Sequence, residues 1–258
     1  MDRIREKIEE ANKNKGGALI IYITCGFPYK DSTVDIVKGL VEGGADVVEL
    51  GIPFSDPIAD GRIIQEASQK ALQQKVNTDD CFSTVKKIRE NKIDIPILFM
   101  GYYNTIFTYG EKRFVERAKQ VGLDGFIVPD LPLEESKRIL NLLKNSSLSM
   151  PFLITPTTTE DRIKKIVSLS SGFIYLVPRL GITGEKTEDL SLARSLVQKI
   201  KKYTSLPICI GFGIENKKDV DQIFSFCEGA IIGSKFIQFI EKNPSSENAR
   251  LFVEKLLS

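Results

Sequence analysis

From end to end the chain alternates short Ile- and Val-rich runs with longer amphipathic segments, and that alternation leaves few folds open. The apolar runs span residues 18–24, 47–50, 95–100, 125–128, 152–154, 173–177, 208–211 and 230–232. Each is short and continuously apolar, as a strand covered on both faces must be. Between them lie helical patterns. Residues 34–42 carry Ile36, Leu40 and Val41 on one stripe, and 114–121 keep the same spacing. The segment 133–143 opens with Glu134 and Glu135, which suit the positive end of a helix dipole. Segments 160–169, 190–203, 217–226 and 248–257 complete the series, with further helical patterns at 2–13, 63–73 and 78–91. Eight strands alternating with helices over 258 residues predict an α/β chain folded as a (β/α)8 TIM barrel. The barrel carries an extra N-terminal helix and additional helices in the connections after its second and eighth strands. A doubly wound sheet is the rival, but it would show a Gly-rich fingerprint after its first strand, and Ile23-Thr-Cys-Gly-Phe-Pro28 is not one. With no linker or low-complexity tract, residues 1–258 are expected to form one barrel domain.

Composition narrows the function classes. Hydrophobic residues make up 42% and charged residues 27%, as in a globular protein with a substantial core. The net charge is +2 with dispersed lysines, so no basic face suggests nucleic acid. The longest apolar runs are far too short to cross a bilayer, and the charged amphipathic amino terminus has no signal-peptide core. A cytoplasmic location is the expectation. Cys25, Cys81, Cys209 and Cys227 form no C-x-x-C pair, and there is no histidine to complete a zinc set. The cysteines read as structural thiols, and no metal site is expected.

Without histidine, acid–base chemistry near neutral pH falls to carboxylates, tyrosines, lysines or cysteines. The stretch Glu49-Leu-Gly-Ile-Pro-Phe-Ser-Asp-Pro-Ile-Ala-Asp-Gly61 leaves the second strand with an acid at each end and turn-formers between. In a barrel the active site lies at the carboxyl ends of the strands. A carboxylate such as Glu49, among Val47, Val48 and Leu50, has a raised pKa suited to proton transfer. The alternative is a salt-bridged structural Glu, while Asp60-Gly61 and Ser55-Asp56-Pro57 are equally turn signals. A second cluster follows the last strands: Gly211-Phe-Gly213 and Gly233-Ser234, where backbone N–H groups can approach an anion and a helix beginning at Ser234 would aim its positive end. Thr183-Gly184 would add donors from the preceding connection, or that connection would be a flexible lid. Tyr102 and Tyr175, at the third and sixth strands, read by periodicity as core.

The thirteen residues Glu49–Gly61 resemble the signature of the tryptophan synthase alpha subunit family. The resemblance spans nearly the whole chain: Tyr22-Ile-Thr-Cys-Gly-Phe-Pro, Met100-Gly-Tyr-Tyr-Asn104, Val128-Pro-Asp-Leu-Pro-Leu-Glu-Glu135, Gly181-Ile-Thr-Gly184, Gly211-Phe-Gly-Ile214 and Gly233-Ser234 follow in the family's order. It implies a lyase that cleaves indole-3-glycerol phosphate to indole and glyceraldehyde 3-phosphate in tryptophan biosynthesis. It also implies an α2β2 complex in which the beta subunit carries pyridoxal phosphate and this subunit needs no cofactor. By the same resemblance Glu49 is the proton shuttle, Asp60 accepts the indole N–H, and Tyr175 helps position them. Tyr22, Met100, Tyr102, Ile127 and Phe212 would surround the indole. Thr183, Gly184, Gly213, Gly233 and Ser234 would bind the rest of the substrate, the glycines and serine at its phosphate. Asp56, Pro57 and Pro132 would meet the beta subunit.

Some positions depart from the family pattern. Arg62 stands where proline commonly follows Asp-Gly, and is expected to point away from the pocket. Phe27 replaces a frequent acid and is expected to alter contacts near the partner face, Pro178 changes the connection after the sixth strand, and Lys235 replaces a small residue and is expected to strengthen phosphate binding. Two other readings remain at this stage: a weakly catalytic regulatory subunit that activates the beta subunit, and a stand-alone lyase releasing indole.

Overall fold

The computed structural model describes residues 2–144, 146–178, 190–211 and 213–258. A helix α1 (Arg3–Lys15) leads into β1 (Ala18–Thr24), α2 (Thr33–Gly43), β2 (Val47–Gly51), α3 (Arg62–Gln73) and α4 (Thr78–Glu90). Next come β3 (Ile97–Met100), α5 (Tyr103–Tyr109), α6 (Glu111–Val121), β4 (Gly125–Ile127), a 3-10 turn (Leu133–Glu135) and α7 (Lys137–Leu143). The second half runs β5 (Leu153–Ile154), α8 (Glu160–Leu169), β6 (Ile174–Leu176), α9 (Ser191–Lys201), β7 (Ile208–Gly211), α10 (Lys217–Phe224), β8 (Gly229–Ile232), α11 (Ser234–Lys242) and α12 (Ser246–Leu257). The strands pair in parallel in the order β4-β3-β2-β1-β8-β7-β6-β5. The Phe126 amide donates to the Ser149 carbonyl at 3.0 Å and the Ser149 amide to the Asp124 carbonyl at 2.9 Å. These bonds join β4 to the segment entering β5, so the sheet meets itself as a barrel, as the strand–helix alternation predicts.

Strand parity sorts the side chains. Leu19, Ile21 and Ile23 of β1, with Val48 and Leu50 of β2, pack outward beneath the helices. Ala18, Ile20, Val47, Leu98, Ile127, Phe173, Cys209 and Ile231 fill the interior. Ile4, Ile8 and Ala11 form one face of α1 and belong to that interior cluster, so the N-terminal helix plugs the bottom of the barrel. Asp2 caps α1 by accepting from the Arg5 amide at 3.2 Å and also accepts from Ser149 Oγ at 2.8 Å, which fixes the plug to the wall.

The extra helices after β2 and β8 are those expected. The helix α5, directly after β3, was not foreseen from the sequence. Its residues Tyr-Asn-Thr-Ile-Phe-Thr-Tyr are weak helix formers with no clear stripe, and its start is held from outside the segment by Asp130, which accepts from the Tyr103 amide at 2.8 Å. The predicted helix 133–143 divides at Ser136, whose hydroxyl donates back to the Leu133 carbonyl at 2.6 Å.

The bottom rim is fastened by a repeated clasp. Asp46, Asp124 and Glu228 each precede an even-numbered strand and accept the leading amide of the strand before it: Leu19 at 2.8 Å, Ile97 at 2.8 Å and Ile208 at 2.9 Å. Ser171, ahead of β6, accepts from the Met150 amide at 2.8 Å, in the segment that leads into β5. Asp124 is the most heavily used, because Arg3 at 2.8 Å and Arg89 at 2.7 Å also converge on it. Asp124→Ala takes the carboxylate from Arg89, which keeps only backbone carbonyls, and leaves the Ile97 amide without its acceptor. We expect it to cost about 3 kcal/mol in urea unfolding, with Asp46→Ala less damaging because a single lysine, Lys15, pairs there.

Candidate active site

Parity also fixes the position of Glu49. Its neighbours Val48 and Leu50 face the helix layer, so Glu49 turns into the barrel, in register between Tyr22 of β1 and Leu98 of β3. It is 0% exposed, and among the described residues neither carboxylate oxygen has a hydrogen-bond partner. With no cation to hold the charge, burial raises its pKa to about 8, so the group is protonated at neutral pH.

Asp60 is held differently. The turn after β2 closes with the Asp60 amide donating to the Pro57 carbonyl at 3.0 Å, and Gln65 Nε2 of α3 donates to the Asp60 carbonyl at 2.8 Å. Tyr102 donates its hydroxyl to Asp60 Oδ2 at 3.0 Å while accepting from the Ala59 amide at 2.9 Å. Its ring stacks on Phe54 with centroids 5.1 Å apart. Burial raises the Asp60 pKa to about 6, with the Tyr102 hydrogen bond acting in the opposite direction. Two carboxyls in one site therefore differ in state at pH 7, Glu49 neutral and Asp60 ionised, which is the separation that acid–base work needs. Arg62 does not disturb it: the guanidinium is 88% exposed and pairs with Glu66 at 2.7 Å, directed away from the pocket as expected.

Both acids line a cavity of about 250 Å3 at the carboxyl ends of the strands. Tyr22, Met100, Ile63, Ile64 and Tyr175 supply apolar wall around them, and Gly211, Gly213, Gly233 and Ser234 supply backbone from the ends of β7 and β8. Two glycines make room for the phenols. A Cβ on Gly51 would lie 2.1 Å from the Tyr22 hydroxyl oxygen, and one on Gly211 would lie 2.3 Å from that of Tyr175. The Tyr22 hydroxyl lies 3.2 Å from Thr24 Oγ1. Burial first, and the neighbouring acids second, push both phenols well above the ordinary tyrosine range. Gly233 precedes α11, so the amides of that helix's first turn open toward the cavity mouth, where an anion is favoured.

Of the residues singled out from the sequence, Glu49, Asp60, Tyr175, Tyr22, Met100, Gly213, Gly233 and Ser234 lie together on this cavity. Tyr102 stands behind the wall, holding Asp60. Ile127 is wholly buried in the barrel interior and does not line the cavity. Thr183, Gly184 and Phe212 lie outside the described residues. Asp56 and Pro132 are exposed, whereas Pro57 is buried. Ile58, beside them and 78% exposed, was missed; an apolar residue inside a turn was its signal. Phe27, at 1% exposure, belongs to the core, so it would reach contacts near a partner face only through the residues packed on it. Also missed were Ile63 and Ile64 of α3, read only as helix, and Ile214, Glu215 and Gln238 at the mouth. Among the described residues no group of three or more His, Cys, Asp or Glu side chains could hold a metal ion.

The Tyr102 bond is testable alone. Tyr102→Phe removes a donor to the charged form of Asp60, so the Asp60 pKa should rise above about 6, by roughly one unit for the loss of one such bond. Carbon-detected NMR titration of the aspartate carboxyls reads this directly; an unmoved Asp60 would show that the hydroxyl does not tune it.

The sequence pattern of the family described as tryptophan synthase alpha chain is matched by residues 8–257. The tryptophan synthase alpha chain of Alkaliphilus metalliredigens is 41% identical over 99% of this chain and 97% of its own length. The crystal structure of tryptophan synthase subunit alpha from Legionella pneumophila superposes with a TM-score of 0.90 at 32% identity, covering 100% of this chain and 97% of that one. A chain of Mycobacterium tuberculosis tryptophan synthase gives a TM-score of 0.92 at 28% identity, covering 99% and 97%. A barrel whose second strand delivers a buried acid into a cavity, matched over its whole length by these relatives, belongs to the tryptophan synthase alpha chain family.

Proposed function

We propose that this cavity cleaves indole-3-glycerol phosphate to indole and glyceraldehyde 3-phosphate, with residues 1–258 acting as one barrel domain in tryptophan biosynthesis. The observation that carries the reading is two buried acids on one cavity held in different ways, Glu49 with no hydrogen-bond partner among the described residues and Asp60 bonded by the Tyr102 hydroxyl. Protonated Glu49 gives its proton to indole C3, and the ring nitrogen takes up positive charge. Ionised Asp60 accepts the N–H bond and stabilises that charge, an interaction strongest where water is excluded. Glu49, now a carboxylate, removes the proton from the adjacent glycerol hydroxyl. The bond from C3 to that carbon breaks, its electron pair restores the indole, and the carbinol becomes the aldehyde. Glu49 ends protonated as it began, so the cycle balances. Tyr22, Met100 and Tyr175 flank the ring, and Gly213, Gly233 and Ser234, with Gly184, bind the phosphate.

The chemistry draws only on groups of this chain, so the subunit works without a cofactor of its own. The second half of the pathway belongs to a pyridoxal-phosphate-bearing beta subunit in an α2β2 complex, in the cytoplasm. What supports the partnership is family membership, together with the exposed Asp56, Ile58 and Pro132 around the acid-bearing turn. Among the described residues no helix is long and apolar enough to cross a membrane.

The test is indole release by the purified chain, alone and with a beta subunit. Glu49→Gln should lower kcat by roughly a thousandfold, the scale of a lost positioned acid–base group, while the variant still binds the beta subunit. Little cleavage even with the partner, beside a rise in the partner's own activity, would favour a regulatory subunit, and partner-independent cleavage at full rate a stand-alone lyase. The pH profile follows from the two acids. Asp60 must be ionised, so kcat/KM falls as pH drops through about 6. Glu49 must carry its proton, so kcat/KM falls as pH rises through about 8. A flat profile across both limbs would contradict the assignment.

A further inference from the structure

The cavity that receives a phosphate ester is acidic. Its lining includes Glu49, Asp60 and Glu215, and among the described residues its single cation is Lys235. An ionised Asp60 repels a phosphate dianion, and the glycine amides and Ser234 hydroxyl that would hold it are neutral donors. They hold a phosphate through hydrogen bonds and the helix dipole but bring no full positive charge to balance it. Lys235 occupies the first turn of α11, where Phe236, Ile237 and Ile240 face the core, and Lys235 and Gln238, three residues apart, share the face that lines the cavity. Some lysines of this chain are taken up by acids, among them Lys70, which pairs with Glu241 of the helix that carries Lys235; among the described residues others have no ion pair, but Lys235 is the one that lines the cavity. Lys235 makes no hydrogen bond or ion pair among the described residues.

We propose that Lys235 is the specificity-determining charge of this site: its ammonium pairs with the phosphate of the substrate and makes the pocket distinguish the phosphorylated molecule from its dephosphorylated counterpart. The inference rests on the reading of the cavity as an indole-3-glycerol phosphate site and adds to its neutral donors the one full positive charge that lines it among the described residues. Because the lysine stands at a solvent-facing mouth, its contribution is screened by salt. An ammonium is a point charge without a fixed fork, so Arg at this position keeps the effect while Gln or Ala loses it.

Two measurements decide it. Indole release is followed with indole-3-glycerol phosphate and with indole-3-glycerol, and binding of inorganic phosphate is followed by titration calorimetry without substrate. Lys235→Ala should lower the ratio of kcat/KM for the phosphorylated over the dephosphorylated substrate by roughly tenfold, the scale of one charge-assisted contact. That loss lies in KM, with a similar weakening of phosphate binding and a shallower dependence on salt, and Lys235→Arg restores both. A ratio that does not move, or an equal loss for both substrates, overturns the role of Lys235 and leaves the proposed reaction standing. If the unaltered chain binds phosphate but cleaves neither substrate even with a beta subunit present, the proposed reaction falls, and calorimetry alone then decides Lys235: weaker binding in Lys235→Ala upholds the pairing, and unchanged binding removes it.

Discussion

A carboxyl group buried without a partner governs this molecule. Glu49 is placed inside by strand parity, and the barrel gives it neither cation nor donor among the described residues. Burying an ionised carboxylate this way is costly, so the group keeps its proton. The fold bears a consequence. An acid with a pKa raised from 4.5 to about 8 binds its proton more tightly folded than unfolded. Its contribution to stability is therefore present at low pH and is lost as pH rises from the unfolded value through about 8. Such a cost is borne at sites where chemistry needs it.

The surroundings keep that proton useful. Tyr22 and Tyr175 flank the acids as neutral phenols because Gly51 and Gly211 leave space where any Cβ would collide. Tyr102 connects the acid-bearing turn to the barrel, bonding Asp60 with its proton and Ala59 with its oxygen. One acid is thus left alone and neutral while the other is given a donor and stays charged. The rim clasps and the α1 plug lie at the opposite end, so stability and chemistry are assigned to different ends of the strands, as barrels commonly arrange them.

Much of this was legible in the sequence. Doubly covered strands read as unbroken Ile and Val runs, and eight of them between helical stripes predict the barrel. Glu49 was legible because an acid inside an apolar strand is a conflict that needs a reason. Ile127 was assigned to the wrong surface because its neighbours in sequence cannot tell the barrel interior from the cavity just above it. Phe27 was read only as a departure from the family pattern, and that pattern carries no sign that its ring is buried in the core. Helix α5 was missed because the contact that starts it, Asp130 to the Tyr103 amide, joins residues from different connections. The Tyr102–Asp60 bond spans 42 residues, and no local spacing announces it.

Glu49, wholly buried, rests protonated at neutral pH. Infrared difference spectroscopy of the folded chain, titrated from pH 6 to 10 with Glu49→Gln as the reference, reads it directly through the stretch of a buried carboxylic acid. The account predicts a protonated carbonyl band, absent from the variant, that disappears with a midpoint near pH 8. A Glu49 already ionised at pH 6, titrating near the ordinary value of 4.5, would contradict it.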